Sequence, residues 1–125
     1  MIAIDGKTLR RSFDAASGKA AIHMVSAWAT ANHLSLGQVV VGAKSNEITA
    51  IPKLLEIIEI AAALVTIDAI GCQTEIARKI VEGGGDYILA VKGNQPTLQR
   101  GVADCFDTCL EHEFAGVKVR SYQTE

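Results

Sequence analysis

Two aspartates stand at the ends of apolar segments of the kind that form buried β-strands. Asp5 closes the segment Ile-Ala-Ile-Asp, and Asp68 closes the segment Leu-Val-Thr-Ile-Asp. Carboxylate oxygens are the ligands that hard cations such as Mg²⁺ prefer, and two such cations roughly 4 Å apart promote phosphodiester transfer by activating a water or a 3′ hydroxyl. Both residues also suit a second role, the capping of a following turn or helix. Spacing alone leaves the two roles open.

The first half of the chain predicts three strands and one helix. Residues 2–5 form the first strand, and the polar, basic stretch after it predicts a loop. The apolar runs 20–30 and 34–41 predict a hairpin, and their lack of strict alternation predicts strands covered on both faces. From Ile48 the apolar residues recur at helical spacing, which predicts a helix of about three turns with Pro52 near its first turn.

The second half alternates strands with helices. Residues 64–68 predict a strand, Thr74 to about Glu82 a helix ended by three glycines, and 87–91 a further buried strand. A last helix with one apolar face is predicted from Pro96.

This order predicts an α/β fold with a ribonuclease H-like mixed sheet: three antiparallel strands, then alternating helices and parallel strands. The first and fourth strands are neighbours in such a sheet, which would bring Asp5 and Asp68 to one edge. A flavodoxin-like doubly wound sheet fits less well, because it needs helices between the first three strands.

The composition is that of one globular domain over residues 1–125. Twelve lysines and arginines oppose 14 aspartates and glutamates, giving a net charge of -2, which argues against a chain whose main work is to coat nucleic acid. No apolar run reaches the roughly 20 residues of a membrane span and no leader is recognisable, so we expect a cytoplasmic protein without a membrane partner. The three cysteines are expected to be reduced thiols.

Several polar residues near the aspartates are candidates for nucleic-acid contacts. The candidates are Lys7, Arg10, Arg11, Gln73, Lys92 and Asn94. Basic side chains and turn amides bind phosphates, but the same residues also suit solvated surface or an ordinary strand-to-helix turn. Glu47 suits the capping of the first helix, with a metal or DNA contact as the alternative. His23 and His33 have no partner recognisable in the sequence and are assigned no role.

Four short motifs together carry a resemblance to a known family. They are Ile4-Asp5-Gly6-Lys7, Lys44-Ser45-Asn46-Glu47-Ile48, Thr66-Ile67-Asp68-Ala69-Ile70-Gly71-Cys72-Gln73 and Lys92-Gly93-Asn94-Gln95. In this order they resemble the DDE transposases of bacterial insertion sequences, in particular the subgroup with the H-repeat-associated proteins. The resemblance implies that Asp5 and Asp68 are catalytic ligands of Mg²⁺ or Mn²⁺ in a two-metal site. It also implies a third acidic residue, a Glu in a His-Gly-Arg-x-Glu-like segment, and this sequence contains no such segment.

The resemblance implies a partial catalytic core over residues 1–125, without the family's N-terminal helical region and without the C-terminal segment that carries the Glu. The complete protein would cleave a DNA strand at the element end and join the 3′ hydroxyl to target DNA, so the expected partner is DNA, with a homo-oligomer left open. This chain alone is expected to be inactive. The alternatives are an inactive transposase remnant that persists as a folded DNA- or protein-binding module, and a ribonuclease H-like nuclease that acts on another nucleic acid.

Overall fold

A computed structural model of the protein describes residues 1–9, 12, 21–42 and 46–118. The chain forms two compact units, residues 1–90 and 91–125. Over the described residues, none of the helices combines the length and the apolar character that crossing a membrane requires.

The first unit is an α/β unit built on a mixed five-stranded sheet. Its elements are β1 (Ile2–Leu9), β2 (Ile22–Ala29), β3 (Leu34–Val41), α1 (Glu47–Ile57), β4 (Leu64–Ile67), a 3-10 turn (Ala69–Gly71), α2 (Thr74–Glu82) and β5 (Asp86–Leu89). The strand order is β3-β2-β1-β4-β5. β2 pairs antiparallel with β1 and β3, whereas β4 pairs parallel with β1 and β5. The predicted element order, the hairpin, the parallel pairing of the last two strands and the adjacency of the first and fourth strands are all confirmed.

The hydrophobic core lies on one face of this sheet. β3, β4 and β5 run in the same direction, and right-handed crossovers between parallel strands that progress in one direction place both connecting helices on the same face. The core accordingly joins alternate strand residues to the inner sides of α1 and α2. It includes Ile2, Ile4, Val25, Ala27, Val65 and Ile67 from the sheet with Ile51, Leu54, Ile76 and Ile80 from the helices.

Large apolar side chains on the opposite face of the sheet, which we call the open face, are exposed. The prediction that the hairpin strands are covered on both faces is therefore wrong. Trp28 is 43% exposed, Val40 60% and Ile88 59%. The continuous apolar runs had suggested burial on both sides, but α1 and α2 cover only the alternate positions that face them. The prediction that the last strand is buried is wrong for a related reason. β5 is the edge strand of the sheet, and its central residues Tyr87 and Ile88 are exposed.

β1 is longer than the apolar pattern predicts. Its antiparallel pairing with β2 continues past Asp5, through Lys7 opposite Met24 and Thr8 opposite His23, to Leu9. Asp5 therefore lies inside a strand, and Lys7 belongs to the same strand instead of a loop. Main-chain pairing with β2 holds these polar residues in the extended conformation although their side chains add nothing to the core.

The second unit contains one regular helix among its described residues, α3 (Pro96–Glu111). Pro96 occupies the first turn, as predicted, where the missing N–H costs no helical hydrogen bond. No residue of α3 is buried. Its apolar side chains are exposed, among them Leu98, Val102, Phe106 and Leu110.

Candidate functional site

The register of the sheet brings Asp5 and Asp68 to neighbouring positions. β1 and β4 are parallel and pair Ala3 with Thr66 and Ile4 with Ile67, so the next residue on each chain segment is one of the two aspartates. Neighbouring strands lie roughly 4.8 Å apart. Ile4 and Ile67 are buried against the helices and both aspartates are exposed. Because side chains alternate along a strand, Asp5 lies on the open face of the sheet.

Asp68 has a local role that its position dictates. It adopts an extended backbone conformation directly before the 3-10 turn, and its Oδ1 accepts a hydrogen bond of 3.2 Å from the N–H of Ile70. The capping interpretation therefore holds for Asp68. An ionised carboxylate has two oxygens with about four acceptor positions, so this hydrogen bond is compatible with cation binding and fixes the orientation of the carboxylate.

Two further polar residues continue the line of the aspartates across the sheet. Ser26 on β2 pairs with Asp5, and Gln38 on β3 pairs with Ser26. Directly paired residues of antiparallel strands have their Cβ atoms about 5 Å apart on the same face. Asp5, Ser26 and Gln38 thus occupy consecutive strands at one level of the sheet, and Asp68 directly follows the neighbouring strand β4. Sequence reasoning missed Ser26 and Gln38, because their place depends on the hairpin register, which shifts between Ala27 and Trp28.

Two of the predicted DNA contacts lie in the same part of the first unit. Lys7 is exposed and stands two residues after Asp5 on β1, hence on the same face of the strand. Gln73 precedes α2, and its Nε2 donates to the carbonyl oxygen of Ile70 over 3.5 Å. Gln73 is thereby held against the turn that Asp68 caps.

The other predicted contacts lie elsewhere. Lys92 and Asn94 belong to the second unit, where both are exposed. Arg10 and Arg11 lie outside the described residues.

Glu47 does not cap α1, contrary to the preferred interpretation of the sequence. Asn46 is the N-cap: its Oδ1 accepts from the N–H of Thr49, and the Thr49 hydroxyl oxygen accepts from the N–H of Asn46, each over 3.2 Å. Glu47 is the first helical residue, where its charge still favours the helix N-terminus. Because the cap is supplied by Asn46, the Glu47 carboxylate is available for a contact with the sheet.

That contact involves His23, a residue to which the sequence assigned no role. Glu47 Oε1 lies 2.5 Å from His23 Nε2, and His23 Nδ1 lies 2.8 Å from the hydroxyl oxygen of Thr8. His23 and Thr8 are paired residues of β2 and β1. The three side chains form a chain of hydrogen bonds from α1 to the sheet, on the face that α1 covers.

The donor set at the aspartates suits a hard divalent cation. Within residues 1–9, 12, 21–42 and 46–118, no three or more His, Cys, Asp and Glu side chains converge as a metal-binding group. Asp5 and Asp68 are thus a pair of oxygen donors. Two carboxylates fit Mg²⁺ or Mn²⁺, since Mg²⁺ sites commonly combine one or two carboxylates with water and substrate phosphate.

The mixed sheet and the neighbouring carboxylates define an α/β unit with one aspartate in β1 and the other directly after the adjacent parallel strand β4. The transposase DDE domain family matches residues 1–124 of this sequence. The chain belongs to the transposase DDE domain family.

Relatives of this chain carry transposase names. It is 50% identical over 125 residues to "Putative transposase YncI" of Escherichia coli K12, covering 100% of this chain and 49% of the relative. It is also 50% identical over 129 residues to "H repeat-associated putative transposase YhhI" of the same organism, covering 100% of this chain and 34% of the relative. The resemblance to the H-repeat-associated subgroup is thereby confirmed. The chain spans half or less of the length of these relatives.

A solved transposase shares the fold. The chain is similar to a protein in the cryo-EM structure of a piggyBac transposase synaptic complex with hairpin DNA, with a TM-score of 0.50 and 12% sequence identity. The match covers 74% of this chain and 23% of the other. At this identity the likeness concerns the fold alone.

Proposed function

We propose that this chain is part of the ribonuclease H-like catalytic core of a DDE transposase and carries the first two carboxylates of its active site. The complete protein would cleave a DNA strand at the ends of a mobile element and transfer the resulting 3′ hydroxyl to target DNA. The observation that carries the proposal is the register of β1 and β4, which sets Asp5 beside Asp68 in a chain of this family.

In this proposal Asp5 and Asp68 hold Mg²⁺ or Mn²⁺ in a two-metal site. When bound, the cations activate the attacking oxygen and stabilise the leaving oxygen in phosphodiester transfer. The hydrogen bond from the Ile70 N–H orients the Asp68 carboxylate before a cation arrives. The cap therefore serves the site by limiting the conformations of one ligand, as outer hydrogen bonds do for metal ligands in general.

The DNA backbone would pass over the open face of the sheet. Lys7, on the same face of β1 as Asp5, is placed to contact a phosphate next to the cleaved bond, and Gln73 stands beside the turn that follows Asp68. Phosphate contacts of this kind set the position of a protein on DNA without reading sequence. Arg10, Arg11, Lys92 and Asn94 are proposed as further DNA-contacting residues.

The third acidic residue would come from a part of the protein that this sequence does not contain. The proposed domain is therefore a partial core over residues 1–125. The complete transposase would act in the cytoplasm on element ends and target DNA, and synapsis of two ends would suit a homo-oligomer. This chain by itself would bind metal and DNA without catalysing strand transfer.

Isothermal titration calorimetry with MnCl₂ tests the proposal directly. We expect saturable binding by the wild-type chain, and a loss of at least tenfold in affinity in both Asp5→Asn and Asp68→Asn. Asparagine at position 68 retains an oxygen that accepts from the Ile70 N–H, so this variant removes the charge and keeps the cap. Asp86→Asn is the matched control, because Asp86 is an exposed aspartate at the start of β5.

The titration also separates the alternatives. Absence of Mn²⁺ binding at millimolar concentration in the folded wild-type chain would contradict the proposed metal site and favour the inactive remnant. Equal binding by wild type and both asparagine variants would place the cation elsewhere. In the complete protein, cleavage of structured nucleic acid without strand joining would favour the ribonuclease H-like nuclease.

A further inference from the structure

Thr8, His23 and Glu47 connect three elements at the edge of the core, and we call them the Glu47 network. Glu47 Oε1 lies 2.5 Å from His23 Nε2, and Thr8 Oγ1 lies 2.8 Å from His23 Nδ1. The His23 and Glu47 side chains are 31% and 16% exposed, so this contact is partly shielded from water. Among ion pairs of the described residues, Glu75–Arg78 lies within α2 and Glu56–Lys79 joins two helices. The pair Glu47–His23 differs from both because it joins a helix to the sheet.

The network rests on the backbone immediately after Asp5. A Cβ atom added to Gly6 would overlap with the Glu47 carboxylate, whose two oxygens and carbon are the nearest atoms to that position. Glu47 therefore occupies the space that a side chain at position 6 would fill. Asp5 and Gly6 are adjacent in β1, with Gly6 on the α1 face and Asp5 on the open face. A displacement of the backbone at Gly6 would consequently displace Asp5.

The backbone of β1 has fewer hydrogen-bond partners from Asp5 onward than before it. Its pairing with β4 ends at Ile4 opposite Ile67, whereas its pairing with β2 continues to Leu9. From Asp5 onward, the described partner of β1 in the sheet is β2 on one side. β2 remains paired with β3 as far as His23 opposite Val41, so β1 is here the edge strand of a three-stranded part of the sheet and is hydrogen-bonded on one side. Asp5 stands at the transition from the wide sheet to the narrower part, where small changes of twist alter the direction of its side chain.

We propose that the Glu47 network is a positioning device that fixes β1 at Gly6 and thereby sets the direction of the Asp5 carboxylate toward Asp68. Glu47, His23 and Thr8 are positioning residues in this scheme, since they act through the backbone and lie on the opposite face from the carboxylate pair. The inference rests on the proposed function of Asp5 as a metal ligand. It assigns a use to the glutamate of the Lys-Ser-Asn-Glu motif, to the following glycine of the Asp-Gly motif and to a histidine that the sequence leaves without a partner.

The test measures Asp5 in two independent ways. The first is Mn²⁺ affinity by calorimetry, and the second is the chemical shift of the ¹³C-labelled Asp5 side-chain carboxyl in the metal-free chain at pH 7. Outer hydrogen-bond partners of metal ligands typically change affinity about tenfold to a hundredfold when removed. We expect Glu47→Gln and Thr8→Val to weaken Mn²⁺ binding about tenfold and to shift the Asp5 carboxyl signal, whereas Thr8→Ser, which keeps the hydroxyl, should behave as wild type.

Glu56→Gln is the matched control. Glu56 is on the same helix as Glu47 and also forms an ion pair over 2.5 Å, but its partner is Lys79 on α2. This variant should leave both the affinity and the Asp5 signal unchanged. Thermal unfolding of every variant shows whether the chain remains folded at the temperature of the titration. Thr8→Val, a β-branched replacement in a strand, remains an informative variant if Glu47→Gln does not fold.

The two readouts keep this inference distinct from the proposed function. If the wild-type chain binds no Mn²⁺, the metal site is contradicted, while a selective shift of the Asp5 signal in Glu47→Gln would still support the positioning network. Wild-type affinity together with an unchanged Asp5 signal in both Glu47→Gln and Thr8→Val would overturn the network. An equal effect of Glu56→Gln would overturn it as well, since it would indicate a general response to loss of charge on α1.

Discussion

At the scale of single residues, Gly6 is subject to a steric constraint that cannot be recognised in the sequence. In a strand, alanine is ordinarily better than glycine, because glycine loses more conformational freedom on folding. Here the Glu47 carboxylate occupies the place of the alanine methyl group. Glycine at position 6 therefore leaves room for a side chain 41 positions away, and no turn is involved.

Gly6→Ala is accordingly expected to push the Glu47 carboxylate aside and to destabilise the chain by about 1 kcal/mol, the usual net worth of the hydrogen bond with His23 that would be weakened. In the Glu47→Ala background the same substitution should be neutral or mildly stabilising, because the obstructing carboxylate is gone. Urea denaturation of the four chains of this double-mutant cycle measures the coupling. Additive free energies of unfolding would show that the two residues do not compete for one space.

The same residues show which parts of the site can be predicted from the sequence. Asp5 and Asp68 were recognisable because a carboxylate after an apolar run has no packing purpose. The role of His23 was not recognisable, because its partners are Thr8, 15 positions earlier, and Glu47, 24 positions later. Neither partner can be recognised from the residues around His23 in the sequence. Only the register of β1 with β2 and the placement of α1 create the contact.

At the scale of elements, the predictions succeeded where local chemistry decides the boundary. α2 spans Thr74–Glu82, as its apolar spacing and the three following glycines predict. β1 was predicted too short because its second half is held by pairing with β2, which leaves no apolar pattern in its own sequence. Boundaries set by capping and glycine are local and predictable, whereas boundaries set by a neighbouring strand require the fold.

The contact between α1 and α2 permits a prediction about pH. A hydrogen bond from Lys79, followed by the charge of Lys79, lowers the pKa of the Glu56 carboxyl below its usual value. A lowered pKa means that the pair stabilises the fold above the unfolded pKa of Glu56 and that this contribution disappears as pH falls through the folded pKa. The effect is small, since the pair is at the surface and screened by water.

Lys79→Met removes both causes and retains the apolar stem over the helix surface. We expect the pKa of Glu56 to rise toward 4.5, its ordinary value. A ¹³C NMR titration of the Glu56 side-chain carboxyl in the wild-type and Lys79→Met chains measures the change. An unchanged Glu56 titration in the Lys79→Met chain would show that the ion pair is not formed in solution.

At the scale of the whole molecule, the net charge and the position of the aspartates constrain the proposed DNA binding. The net charge is -2, and Asp5 on the open face and the neighbouring Asp68 are both exposed to an approaching phosphate. Near that pair the described residues offer Lys7 as a basic side chain on the same face. Electrostatic attraction to phosphates supplies most of non-specific DNA affinity, so this face should repel DNA unless the aspartates are neutralised.

Bound cations would supply that neutralisation, which leads to a prediction about metal removal. We expect fluorescence anisotropy with a labelled duplex to show binding in Mg²⁺ that is lost in EDTA at the same ionic strength. Asp5→Asn combined with Asp68→Asn raises the net charge from -2 to 0 and removes the repulsion, so this chain should bind DNA equally in Mg²⁺ and in EDTA. The doubly substituted Asp86→Asn, Glu75→Gln chain changes the net charge equally at other exposed sites and should keep the wild-type dependence on Mg²⁺. Wild-type binding that is equally tight in EDTA would contradict a DNA path over the carboxylate pair, because the uncompensated aspartates would then face no phosphate.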